Sequence, residues 1–245
     1  MIALRKLAAA QLLEAWEHGQ GQSPSYRALA LLVAACDEPP ELQASLSIGQ
    51  RDARLLALRE LTFGPQLVSV ASCPACGAQL ELTFSTGDIC AQAPDGVTEV
   101  TLVADGYTLR ARLPNSLDLD ALARCADRAT ARTQLVARCV LEASYAGKPL
   151  PAVDLPEALL ALLAAQMTEA DPQADVRLAM NCPDCDHGWQ ASFDIVSFFW
   201  SELEAWVQQT LRDVHTLAWA YGWHEADILA LSPWRRRYYL EMVRG

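Results

Sequence analysis

Two short motifs carry the chemistry of this sequence, Cys73-Pro74-Ala75-Cys76 and Cys182-Pro183-Asp184-Cys185. Two thiolates separated by two residues reach one ion when the backbone turns tightly, and the proline helps to fix that turn. Tetrahedral zinc takes four such ligands, so one pair is insufficient and two pairs complete a structural site. Four thiolates leave no coordination position for water or substrate, and the pattern therefore predicts scaffolding, not hydrolysis. The motifs also echo one another. The first reads CPACGAQLELTF and the second CPDCDHGWQASF, with an apolar residue seven positions after the first cysteine (Leu80, Trp189) and a phenylalanine eleven after it (Phe84, Phe193). A strand-like segment precedes each, giving strand, knuckle and strand twice over. The long stretch between the pairs reads as an insertion between two halves of a zinc ribbon.

Competing readings of these cysteines fit less well. A thioredoxin-type redox site has one CxxC opening a helix, whereas β-rich segments follow both motifs here. Four unligated buried cysteines would leave the matched spacing without a reason. His187, beside the second knuckle, is an alternative ligand, although a loop histidine is the commoner outcome. The remaining cysteines are scattered. Cys36, Cys125 and Cys139 fall in alanine- and leucine-rich helical patterns, where a free thiol acts as a small core hydrophobe. Cys90 falls in a loop and receives no role. Eight cysteines without an export signal argue against a disulfide framework.

Catalytic constellations are not found. His18, His215 and His224 are isolated, and no phosphate-binding glycine loop, nucleophile elbow or HExxH pattern occurs. Asp118, Asp120 and Asp127 lie near a helix start, where carboxylates favour the macrodipole. The chain is expected not to be an enzyme.

The elements that must position the knuckles follow from periodicity and punctuation. Helices are expected from Leu4 to His18, from the Ser23-Pro24 cap to Cys36, and from Gly49 to Leu61 with Ser47 as cap and Gly64-Pro65 as stop. Pro39-Pro40 breaks the chain. Gln66 to Val70 and the alternation of Leu80, Leu82 and Phe84 predict strands around the first knuckle. TEVTLVADGYTLRARL predicts a hairpin turning at Asp105-Gly106. Helices are expected again over Leu117–Tyr145 and Pro156–Thr168, then a strand over Ala174–Met180 leading to the second knuckle. A long helix covers Ile195–Tyr221 and ends at Gly222. Short helices follow over Glu225–Leu231 and Pro233–Val243, the last capped by Ser232.

Composition narrows the function classes. The 245-residue chain carries a formal net charge of −11, which disfavours non-specific nucleic-acid binding, since phosphate contacts need clustered cations. Arg235-Arg236-Arg237 is the one dense basic run. No apolar run is long enough to span a bilayer. The start, MIALRKLAAAQLLEAWEHG, resembles a signal peptide superficially, but Glu14, Glu17 and the recurrence of Leu4, Leu7, Leu12, Leu13 and Trp16 read as an amphipathic helix. The chain is expected in the cytoplasm where it is made. Aromatic residues crowd into its last part, beyond what one face of a long helix needs. Trp223, Trp234, Arg235, Arg236, Arg237, Tyr238 and Tyr239 are therefore the candidate partner surface, since aromatics and arginine dominate interface hot spots.

The C-terminal run YGWHEADILALSPWRRRYYLEMV resembles the baseplate hub assembly chaperones of T-even-type contractile-tailed phages and phage-derived contractile injection systems. LSIGQRDARLLALRE with FGPQL, and DPQADVRLAMNCPDC with FDIVSFFWSELEAW, are similar to the zinc-knuckle-bearing bacterial branch of that family. The resemblance implies a non-enzymatic role in building the baseplate hub, hub or spike proteins as partners, and incorporation into the particle or release after assembly. It supplies no catalytic residues. The alternative is a zinc-ribbon regulator that binds nucleic acid or polymerase, against which the net acidity counts. The expected fold is α+β, mostly helical, in three regions: helices over 1–65; a split ribbon over 66–195, with the hairpin and helices of 97–168 inserted; and an aromatic-rich helical region over 196–245.

Overall fold

The computed structural model describes residues 4–91 and 97–244. Residues 1–3 and 245, at the outer ends of the first and third expected regions, and 92–96, inside the second, lie outside the described residues. The chain is α+β and mostly helical. Its N-terminal part folds as α1 (Ala9–Gly19), α2 (Pro24–Ala35), α3 (Pro40–Ser45) and α4 (Ile48–Phe63). Ser23 accepts the Tyr26 N–H at the start of α2. Ser47 and Gln50 form a reciprocal capping box at the start of α4. Gly64, at φ 92°, ends α4 in a conformation that L-residues avoid.

Three antiparallel sheets follow among the described residues. The hairpin of β1 (Gln66–Ser72) and β2 (Gln79–Ser85) precedes a short α5 (Thr86–Ile89). A four-stranded meander comprises β3 (Glu99–Ala104), β4 (Tyr107–Arg112), β5 (Val140–Tyr145) and β6 (Lys148–Pro149). Between β4 and β5 lie α6 (Ser116–Leu122) and α7 (Arg128–Cys139), and α8 (Glu157–Ala170) follows the sheet. The last hairpin, β7 (Arg177–Asn181) and β8 (Gly188–Ser192), runs directly into α9 (Ile195–Tyr221). Gly222, left-handed at φ 66°, terminates α9 before α10 (Glu225–Ala230) and α11 (Pro233–Arg244).

Among the described residues, helix α9 threads two of three cores. Its first half buries Phe199, Trp200, Leu203 and Val207 against Leu12 and Leu13 of α1, Leu31 and Leu32 of α2, Leu55 and Leu58 of α4, and Leu67 of β1. Its second half contributes Val214 and Leu217 to a core with Ile228 of α10 and Leu240 of α11. Leu102, Leu109 and Ala111 of the meander pack on Leu159 and Leu163 of α8. Helix α9 thus shares its buried face with helices from the opposite end of the chain.

The helix expected from Leu4 begins at Ala9 instead. Residues 4–8 stay outside the helix, where Arg5 donates its backbone N–H to Ala35 O at 3.0 Å and its guanidinium to Ala34 O at 2.8 Å. Leu7 is nevertheless buried, so the apolar spacing reported burial and not helix. Pro40, expected as part of a break, opens α3 from the first helical position. The helical stretch expected over Leu117–Tyr145 is two helices and a strand. Val140–Tyr145 pairs with β4, and Glu142 joins Arg110 at 2.7 Å. A cross-strand partner outweighed an alanine-rich local pattern. The strand expected from Ala174 starts at Arg177, after a 3-10 turn over Pro172–Ala174.

Candidate functional site

Both hairpins are rooted in the helical core and carry a knuckle at the tip. Their registers end at Ser72↔Gln79 and Asn181↔Gly188, leaving loops 73–78 and 182–187 of equal length. The loops share one hydrogen-bond pattern. Cys73 N–H donates to Ala78 O at 2.8 Å and Gly77 N–H to Cys73 O at 2.9 Å. Cys182 N–H donates to His187 O at 2.9 Å and Asp186 N–H to Cys182 O at 2.9 Å. Gly77 and Asp186 occupy the same left-handed position, at φ 78° and 54°.

The loops face each other with exchange symmetry. The first cysteine of each meets the second of the other, Cys73 to Cys185 at 3.7 Å and Cys76 to Cys182 at 3.6 Å. All four sulfur atoms lie within 4.8 Å of one another. Thiolates about 2.3 Å from a tetrahedral zinc sit about 3.8 Å apart, so the 3.7 and 3.6 Å spacings match two edges of a zinc–thiolate tetrahedron. They exceed by far the ~2.05 Å of a disulfide. Cys73 and Cys182 are buried beneath, while Cys76 and Cys185 are exposed. The four thiols could hold one metal ion.

Electrostatics at the cluster favour partial ionisation. Burial opposes the Cys73 thiolate, but the N–H groups of Cys76 and Ala75 and the neighbouring thiols outweigh it, drawing its pKa down to about 6. The His187 N–H favours the Cys185 thiolate, yet the adjoining Cys76, Cys182 and Cys73 push its pKa up to about 12. A cation supplies what such mutually repelling thiolates need. His187 stacks on Trp189, with centroids 6.1 Å apart, and is not among the converging ligands.

The base of the paired hairpins is fixed by contacts distant in sequence. Phe84 and Phe193, the matched phenylalanines, meet edge to face. Arg59 of α4, almost fully buried, makes a two-pronged pair with Glu202 of α9 at 2.8 and 2.6 Å and donates to Gly64 O at 2.6 Å. It thereby locks the exit of α4 towards β1 against the helix that follows β8. Asp171, before β7, accepts Ser47 Oγ at 3.0 Å and Gly49 N–H at 2.8 Å at the start of α4. These positioning groups escaped the sequence reading because their partners lie more than a hundred positions away. The one local signal was Arg59 itself, an arginine four residues after Leu55 on the apolar face of its helix.

The seven residues singled out near the C-terminus are divided by the fold. Trp234 and Tyr238 stand exposed at 78% and 60%, and Arg235 and Arg237 are also exposed. Trp223 and Tyr239 are half-buried and pack edge to face at 4.9 Å beside Tyr221. Arg236 is only 7% exposed, and its burial lowers its pKa from the ordinary arginine value. Asp118 at the start of α6 is buried by Arg112 and Arg138, and Asp127 caps α7 through Thr130 N–H, so both serve structure. Cys36 and Cys139 are buried, as core thiols are, whereas Cys125 lies between helices at intermediate exposure.

Among the described residues no helix is long and apolar enough to cross a membrane. The molecule is a mostly helical α+β protein whose two knuckle hairpins converge on a single four-thiol cluster. A family model described as T4 bacteriophage base plate protein matches residues 9–200, from the start of α1 into α9 and across both knuckles. The chain belongs to this base plate family. Comparison with curated proteins gives no match, and neither does comparison with solved structures.

Proposed function

We propose that this protein is a non-enzymatic assembly factor or structural component of a phage-type baseplate hub, stapled by one structural zinc ion. The observation that carries the reading is the base plate family match over residues 9–200, which includes both knuckles. Cys73, Cys76, Cys182 and Cys185 would hold the zinc, whose part is to cross-link the hairpins. Their sulfur spacings of 3.6 and 3.7 Å support a tetrathiolate site. Metal binding by such a site is part of the folding free energy.

The partners in this reading are hub or spike proteins of the same particle, engaged through the C-terminal helices. Protein made in the cytoplasm would meet them there and either enter the particle or leave it. The exposed Trp234, Arg235 and Tyr238 are suited to such contact. The test is co-expression with the hub and spike proteins of the same genome. Wild type should co-purify with one of them, and a Trp234→Ala/Tyr238→Ala double variant should lose most of that association while keeping its melting temperature. If wild type associates with none of them, the proposal is wrong.

A further inference from the structure

We propose that the groove lined by α1, the end of α4, α9, α10 and α11 receives an acidic, apolar peptide segment of a protein partner, whose carboxylate pairs with Arg236. This deepens the reading just given and rests on it for the kind of partner. The groove has a volume of about 910 Å³, far more than a lone anion fills and within the range of sites that enclose organic groups. Leu12, Phe63, Trp206, Leu231 and Leu240 supply its apolar wall.

Arg236 in this wall is the unexplained feature. It is 7% exposed, and its Nε is buried with no hydrogen-bond partner among the described residues. A buried cationic donor left unsatisfied is costly, and a carboxylate is the group that matches its planar fork. The rest of the groove agrees in charge. Lys6, Arg237 and Arg244 also line it, against Asp213 and Glu241, in a chain whose net charge is −11. Arg237 and Glu241 offset one another at 3.0 Å, which leaves Lys6, Arg236 and Arg244 facing Asp213; that carboxylate accepts Gln209 Nε2 at 2.8 Å, and its charge acts on Arg236 without forming an ion pair. Helix α1 opens into the same space through Ala8 and Ala9, and its N-cap Ala8 offers no polar side chain to its first-turn N–H groups. That end is therefore a second site of positive potential. Apolar walls with a recessed cation fit an amphipathic segment that brings a glutamate or aspartate among apolar side chains.

The exposed Trp234 and Tyr238 do not belong to the groove. Pro233, Arg236, Leu240 and Arg244 recur along one face of α11 and line it, so that helix has two separate surfaces.

The experiment uses the full-length protein and fluorescent fifteen-residue peptides tiling the hub and spike proteins of the same genome. Each acidic peptide is paired with a version in which Asp and Glu become Asn and Gln. Anisotropy gives affinity, and the arginine Nε–Hε resonance of Arg236 reports its pairing by NMR. Acidic apolar peptides should bind and shift that resonance. Arg236→Gln should weaken binding about tenfold or more, as should the amide peptide, and the two losses should not add. The fold should survive Arg236→Gln, since the variant removes an unpaired buried charge. If it does not, the amide peptides and the NMR shift on wild type still decide. Acidic peptides that bind no better than their amide versions, or equally well to folded Arg236→Gln, overturn the proposal. Intact hub or spike protein retained equally by wild type and Arg236→Gln also overturns it, while leaving the hub function standing. Failure of wild type to bind any intact partner defeats that function instead.

Discussion

The ring of Phe84 meets the ring of Phe193 edge to face, with centroids 5.6 Å apart and planes at 86°. Each stands eleven residues after the first cysteine of its knuckle. The pairing therefore joins equivalent positions of two hairpins below the point where their thiols converge. Both rings pack against the core formed by α1, α2, α4 and α9, so the hairpins are held at two levels.

Removing one ring should uncouple these levels only in part. Phe84→Ala and Phe193→Ala are each expected to cost about 2–3 kcal/mol, below the usual range for fully buried rings because both are half-buried. A double-mutant cycle by urea denaturation should return a coupling of about 1 kcal/mol between them. A coupling of zero would mean that the rings stack without mutual stabilisation.

The metal prediction concerns stoichiometry. Purified protein should carry about one zinc per chain, and Cys73→Ser or Cys182→Ser should each reduce it to near zero. Elemental analysis reads the metal, and thermal denaturation should show a lower midpoint in both variants and in chelator-treated wild type. Full zinc content in both serine variants would exclude a site shared by the two knuckles.

Equivalent loop positions predict unequal responses to substitution. Gly77 and Asp186 both adopt positive φ, but a Cβ on Gly77 meets nothing within 4 Å. Gly77→Ala should therefore cost about 1–2 kcal/mol through backbone strain alone. Asp186→Gly should change stability little, because relief of strain and added chain entropy oppose each other. Chemical denaturation of the two variants in the same metal-loaded state compares them directly.

Gly49→Ala tests the seam between α4 and the approach to β7. Its Cβ would lie 2.1 Å from Asp171 Oδ1 and 2.9 Å from the Ala174 backbone nitrogen. Neither group can yield without breaking the hydrogen bonds that hold Asp171 to Ser47 and Gly49. A loss of about 2–4 kcal/mol is expected, combining overpacking with an unsatisfied carboxylate. An unchanged melting temperature would show that the seam relaxes freely.

Acid should weaken the packing of α6 and α7 on the meander. Burial opposes the charge on Asp118, but Arg112, the Asn115 N–H and Arg138 outweigh it and hold its pKa down to about 2 from 3.8. A lowered folded pKa gives stabilisation that is present above 3.8 and is lost as the pH falls towards 2. The contribution is about 2 kcal/mol. Asp118→Asn should lower stability at neutral pH and flatten its dependence between pH 4 and 2, as followed by urea denaturation.

Features that repeat over short stretches of chain were legible from residue order. CxxC spacing, the echo from Leu80 to Trp189 and from Phe84 to Phe193, the Asp105-Gly106 turn and the caps at Ser23 and Ser47 each depend on neighbours a few residues apart. Ile195–Tyr221 was legible for the same reason, since its apolar period and terminal Gly222 lie within one element. Contacts distant in sequence decided the strand at Val140–Tyr145, the non-helical segment at 4–8, and the Arg59–Glu202 and Asp171–Gly49 ties. In each, a partner far along the chain supplies the hydrogen bonds that local propensity could not specify. Tertiary structure also divided the arginine run, burying Arg236 while leaving Arg235 and Arg237 exposed. Three consecutive arginines have the same chemistry, and only the packing of α11 on α9 distinguishes their faces. The cysteine cluster combines both levels: spacing named its four members, and the folding of the helical core brought their sulfur atoms together.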